Sequence, residues 1–161
     1  MVRLGTIAAD STRDCGQLGG MVIRETMLHA TCVAVQGRGL LILGPSGSGK
    51  SALALDLMAV GADLVSDDQT CVQRRGDTLF ARPPDTIAGQ IEARGIGILH
   101  ADNLPQAQLH CVIDLGQDEQ MRLPPQRVHE ILGIFVPLVL RPYRPQLYAA
   151  MRQMMLKGRC A

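Results

Sequence analysis

The apolar positions of the chain fall into short runs that change character along its length. Thr31–Val35 is a β-branched apolar run with a strand pattern. Gln36-Gly37-Arg38-Gly39 is a turn cluster, and Leu40–Leu43 is a continuous apolar run of the kind buried on both faces of a sheet. Ser51–Val60, rich in Ala and Leu, predicts a helix stopped by Gly61. Leu64-Val65 starts another short strand, with Asp67-Asp68 at its end. Cys71–Arg75 and Thr78–Arg82 flank Gly76-Asp77 and read as a hairpin. Gln90–Leu99, with Gly95 and Gly97, reads as a loop with short helical or extended pieces. Leu109–Leu115 and Ile134–Leu140 read as strands, the second interrupted by Pro137. Gln146–Lys157 predicts a helix with Leu147, Met151, Met154 and Met155 on one face. Residues 1–24 show no sustained periodicity and read as an irregular lead-in, leaving 25–161 as the folded domain. Strands alternating with helices around a buried apolar strand predict an α/β domain with a mixed, central β-sheet flanked by helices.

Composition narrows the function classes. The length of 161 residues is one domain's worth. Four aromatic residues, two Tyr and two Phe, are too few for a base-stacking nucleic-acid reader, and a net charge of +1 supplies no electrostatic footprint for one. No apolar segment reaches the length of a membrane span and no secretory leader is visible, so a cytoplasmic protein is expected. Cys15, Cys32, Cys71, Cys111 and Cys160 are widely spaced and form no CxxC pair, which reads as reduced thiols rather than a zinc site.

The candidate chemistry begins where the buried apolar run meets Gly44-Pro45-Ser46-Gly47-Ser48-Gly49-Lys50-Ser51, a complete G-x-x-x-x-G-K-S phosphate loop between a strand and a helix. The glycines let successive N–H groups point at one anion, and the helix adds its positive end. Lys50 is a point charge for terminal phosphates, and the Ser51 hydroxyl can sit on Mg²⁺. Small-molecule kinases, ATPases, GTPases and adaptors all use such loops. The chain has no guanine-reading N-K-x-D motif and no obvious Arg-rich lid.

Phosphoryl transfer to a hydroxyl needs a base near the nucleophile and a carboxylate near the metal. Asp67-Asp68 is the leading pair, because in an extended segment neighbours point oppositely and can take different roles. Asp114, ending an apolar strand, has the form of a second metal-side carboxylate or of a strand-end Asp facing a turn. Glu92 and Arg94 could serve metal and phosphate, or pair with each other on the surface. His29 reads either as structural or as a partner that tunes a carboxylate.

These elements, in order, resemble the bacterial HPr kinase/phosphorylase family. The resemblance runs from Met27 to Ala150: His29-Ala30 before the first core strand, the Gly44–Ser51 loop, Gly61, the Asp67-Asp68 strand end, the signature-like Glu92-Ala93-Arg94-Gly95-Ile96-Gly97-Ile98-Leu99, Arg122-Leu123, and a closing segment from Pro137 to Pro145. Ala30, Ala93 and Pro45 replace the family's usual Gly, Ile and Asp, and the closing segment lacks its Gly and Asn. The resemblance implies a P-loop kinase-like catalytic domain standing without the family's N-terminal domain. It implies ATP and Mg²⁺ as cofactors, pyrophosphate or inorganic phosphate as alternative ligands, and the phosphocarrier protein HPr as partner. Carried across, Asp67 would be the general base in the kinase direction and general acid in reverse, with His29 beside it. Lys50 and the loop amides would hold phosphate, Ser51, Glu92 and Asp68 the metal, and Arg94 and Arg122 phosphate or substrate. A homo-oligomer, a hexamer in the family, is implied as well. A small-molecule kinase and a catalytically silent nucleotide-binding module are the alternatives.

Overall fold

The computed structural model describes residues 2–6, 13–18, 21–142 and 145–160. The first six strands and the first helix run β1 (Val2–Thr6), β2 (Arg13–Leu18), β3 (Met21–Leu28), β4 (Thr31–Val35), β5 (Arg38–Leu43), α1 (Lys50–Ala59) and β6 (Asp63–Ser66). The rest run β7 (Thr70–Arg75), β8 (Thr78–Arg82), β9 (Gln90–Ala93), β10 (Gly97–His100), β11 (Ala107–Glu119), β12 (Arg127–Ile131), β13 (Ile134–Pro142) and α2 (Leu147–Lys157). Among the described residues, eleven strands form one mixed sheet, and β9 and β10 form a separate antiparallel ribbon.

The apolar run at β5 is buried on both faces because both faces are covered. Leu41 and Leu43, with Cys32 and Ala34 of β4 and Val112 of β11, face a core closed by β7, β8, β12 and β13. Leu40 and Ile42, with Val33 and Val35, face the opposite core under α1 and α2. The alternation follows from the two-residue period of the strands. Both helices lie on this second face, where Met151 and Met155 of α2 are buried beside Leu53 and Leu57 of α1. The Met-rich face therefore packs on the chain's own core. Arg152 donates to the Val60 carbonyl at 3.0 Å and ties α2 to the end of α1.

Strand direction decides where the loops meet. β5 and β11 are parallel, while β4 is antiparallel both to β5 and to β6. An antiparallel strand between two that run together brings its own beginning to the edge where they end. Thr31 pairs with Ile42, and Cys32 with Ser66. The start of β4, the phosphate loop after β5 and the Asp pair after β6 consequently share one edge of the sheet.

Three readings of local pattern are corrected. Residues 1–24 are not irregular throughout: β1 pairs with β12, β2 with β3, and β3 is a continuous strand from Met21 paired along β7, so a boundary at residue 25 cuts a strand. β1 and β3 find partners far away in sequence, and pairing of that kind overrides weak local pattern. Residues 1, 7–12 and 19–20, within that lead-in, lie outside the described ones, as do 143 and 144 of the closing segment. Gln90–Leu99 is a hairpin rather than a loop, and Ile96 N–H closes its turn on Ala93 O at 2.9 Å. Pro137 does not interrupt β13; the ladder to β11 starts one residue later, at Leu138. Among the described residues no helix is long and apolar enough to cross a membrane. Cys32, Cys71 and Cys111 are buried free thiols and Cys160 an exposed one; burial pushes the Cys111 thiol up to about 12.

Candidate functional site

The phosphate loop leaves β5 at Gly44 and enters α1 at Lys50. Gly44 has a positive φ of 145°, and a Cβ there would collide with the Ser48 hydroxyl and approach Leu115 Cβ to 3.2 Å. Gly49, at φ 95°, takes the N-cap position without a side-chain cap. The first helical N–H groups are left without the oxygen that Ser, Thr or Asp would supply there, which is how a helix end that receives an anion is built. Lys50 is buried and donates to the Gly44 and Pro45 carbonyls at 2.9 and 3.2 Å. Burial pulls its ammonium below the ordinary lysine range, opposed by the charges of Asp68 and Asp67.

The two aspartates are separated by a turn, not by the pleat of a strand. β6 ends at Ser66, and Gln69 N–H reaches back to Asp67 O at 2.7 Å. Asp68, at the middle of this turn, has φ 63°. Asp tolerates the left-handed region better than most residues, and such conformations cluster at functional sites. The Ser66 hydroxyl, bonded to Gln69 O, closes the turn from the other side.

Asp67 is buried and its carboxylate is fully engaged. Oδ1 accepts from the Thr31 and Ser51 hydroxyls, both at 2.8 Å, and Oδ2 accepts from the Glu92 backbone N–H at 2.9 Å. Asp68 is exposed, lines the cleft, and lies 3.5 Å from His29 Nε2. The expected pairing of His29 with Asp67 is therefore corrected: His29 meets Asp68. The cause is the turn, which swings Asp68 to the rim. His29 is held there because the neighbouring Ala30 carbonyl accepts from the buried Thr70 hydroxyl at 2.8 Å.

A cleft of about 380 Å³ joins His29, Asp68, Lys50, Ser51, Glu92 and Arg94. Arg94 reaches over the phosphate loop, since a Cβ on Gly47 would stand 3.8 Å from its guanidinium. Ser51, donating its proton to Asp67, keeps oxygen lone pairs for a cation, and the Glu92 carboxylate lies on the same cleft. Hydroxyl and carboxylate oxygens are the donors Mg²⁺ prefers, and few of them are needed where phosphate oxygens complete the shell. Among the described residues no group of three or more His, Cys, Asp or Glu stands ready to hold a metal without such help. The residues fit a phosphate-bound Mg²⁺.

Asp114 does not end its strand: β11 runs on to Glu119, with a register shift between Asp114 and Asp118. Its oxygens accept from Gly116 N–H at 2.8 Å and from the Gln117 amide at 2.6 Å, and it does not line the cleft. Arg122 lies between β11 and β12 and does not line the cleft. Thr31 and the backbone of Glu92 were not singled out by sequence. Only the antiparallel placement of β4 gives Thr31 its role.

A mixed sheet whose buried strand runs into a phosphate loop, facing a basic and carboxylate-lined cleft, defines a P-loop kinase-like domain. The family model "HPr Serine kinase C-terminal domain" matches residues 21–123, and the chain belongs to that family. It is 40% identical to the HPr kinase/phosphorylase of Caldicellulosiruptor bescii over 73% of this chain and 42% of that protein. It is 35% identical to the HPr kinase/phosphorylase of Geobacillus thermodenitrificans over 84% of this chain and 48% of that protein. The chain thus spans less than half the length of these relatives. The solved structure of the Hpr(Ser) kinase/phosphatase from Coxiella burnetii superposes with a TM-score of 0.72 at 30% identity, covering 83% of this chain and 89% of that one.

Proposed function

We propose that this domain transfers the terminal phosphoryl group of ATP to a serine hydroxyl of the phosphocarrier protein HPr. We further propose that it reverses the step by phosphorolysis and uses Asp68 as the acid–base group. The observation that carries the assignment is the division of labour between the two aspartates. Asp67 accepts from Thr31, Ser51 and the Glu92 N–H and acts by positioning Ser51. Asp68 stands free on the cleft rim with His29 at 3.5 Å. A base must reach the proton it removes, and of the two aspartates Asp68 is the one exposed on the cleft, which supports it in that role.

In the forward direction the serine oxygen attacks the terminal phosphorus. The new O–P bond forms as the bond to ADP breaks, and the serine proton passes to Asp68. In reverse, inorganic phosphate attacks the phosphoserine phosphorus, pyrophosphate forms, and protonated Asp68 returns its proton to the leaving serine oxygen. The same group is base one way and acid the other, so one cleft serves both directions. Lys50, the loop amides and Arg94 bind the phosphates and meet the charge that spreads over the transferring group. Ser51 and Glu92 would hold Mg²⁺, which neutralises phosphate charge when bound. Assembly into a homo-oligomer, a hexamer by resemblance, and a cytoplasmic setting complete the reading; the buried free thiols support the latter.

The test is incubation with Mg-ATP and purified HPr. Acid-stable phosphoserine on HPr is expected, and added phosphate should then release pyrophosphate from phospho-HPr. ATP binding with no transfer to HPr refutes the kinase assignment, and transfer without phosphorolysis refutes the reverse activity alone.

A further inference from the structure

The β9–β10 ribbon carries apolar surface where the cleft is most polar. Ile96 is 78% exposed and Ile98 is 64% exposed. The register explains their direction. Ile98 is paired with Glu92, so the two side chains leave the ribbon on the same face, the one that lines the cleft. Leu99 is paired with Ile91, which is buried under α1, so the opposite face anchors the ribbon to the core. Ile96, at the turn, itself lines the cleft beside Arg94. Gly95 and Gly97, at φ 81° and 140°, set the turn that pushes Ile96 outward.

Packing within the chain does not account for two isoleucines this exposed on a ribbon that buries Ile91 and Ala93 of β9. We infer that Ile96 and Ile98 form the docking surface for the protein substrate, gripping an apolar patch that borders its acceptor serine. This inference rests on the kinase reading above. The surface is continuous with the cleft: Ile98 shares its face with Glu92 at the proposed metal, so whatever presents a hydroxyl to Asp68 passes over the ribbon. A partner with a folded apolar surface gains by covering these side chains, whereas a small polar metabolite or the nucleotide's phosphates would gain nothing. The phosphates are held by charge and backbone amides. The protein acceptor is held by apolar contact, and the two affinities are separable.

Separability is the test. Wild-type protein and the variant Ile98→Ser are compared for KM and kcat with HPr, and for the dissociation constant of a fluorescent ATP analogue. Because Ile98 is exposed, the variant should melt with the wild type. KM for HPr should rise at least tenfold, about 1.4 kcal/mol of binding, with kcat at saturating HPr and nucleotide affinity unchanged. The conservative Ile98→Val should stay within threefold of wild type. An unchanged KM overturns the docking role. A fall in kcat with KM unchanged also overturns it, because the ribbon would then be positioning Glu92. Failure of the wild type to phosphorylate HPr, while binding the ATP analogue, refutes the kinase reading and the docking role with it.

Discussion

Replacing each aspartate separately should break different things. Asp67→Ala removes a buried carboxylate that accepts from the Thr31 hydroxyl, the Ser51 hydroxyl and the Glu92 N–H. Thr31 is fully buried, so its hydroxyl has no water to turn to, and the Glu92 amide loses a charged acceptor. A buried polar group left unpaired costs about 1–3 kcal/mol, and hydrogen bonds to charged groups lie toward the upper end. Ser51, half-buried on the cleft, can turn toward solvent, so two orphaned donors dominate. The expected loss is about 3–5 kcal/mol, or roughly 8–16 °C in melting temperature for a domain of this size. Nucleotide affinity should fall as well, because Ser51 is no longer oriented. Asp68→Asn, whose side chain also tolerates the left-handed backbone, should leave stability within about 0.5 kcal/mol. Nucleotide affinity should hold in that variant, and transfer to HPr should fall about 10²–10⁴-fold. Urea unfolding, ATP-analogue titration and phosphoserine formation measure the three quantities. An Asp67→Ala protein as stable as wild type, or an Asp68→Asn protein with undiminished transfer, would refute the division of labour.

Two further outcomes follow from the same geometry. Gly44→Ala forces a Cβ against Ser48 and Leu115, so isothermal titration should show loss of nucleotide binding, at a stability cost of about 1–3 kcal/mol. His129 is buried with Nε2 unpaired; burial lowers its pKa below the ordinary 6.5, opposed by the charge of Asp114. The unfolded chain therefore binds the extra proton first, and stability should fall as pH drops below about 6.5. Chemical denaturation at pH 7.5 and 5.5 should show a smaller difference in His129→Gln than in wild type, and an equal difference would exclude His129 as the source.

The phosphate loop was legible because it is local. The pattern sits in eight consecutive residues with an apolar strand before them and a helix after them, and the two-faced burial of Leu40–Leu43 was written in an unbroken apolar run. The Asp67-Asp68 pair was legible as a candidate site, but not the different surroundings of its two carboxylates. Those depend on a left-handed turn at Asp68 and on Thr31, 36 residues away, reaching Asp67 across the edge of the sheet. β1 and the start of β3 were hidden for a related reason, since their partners β12 and β7 come much later in the chain. By itself the sequence determined the chemistry that can occur: a lysine, a hydroxyl, carboxylates and curled glycines around a phosphate. Tertiary structure decided which carboxylate is buried and which is exposed on the cleft. Burial and three convergent donors occupy one of two adjacent, chemically identical side chains, and one backbone torsion turns the other into the cleft.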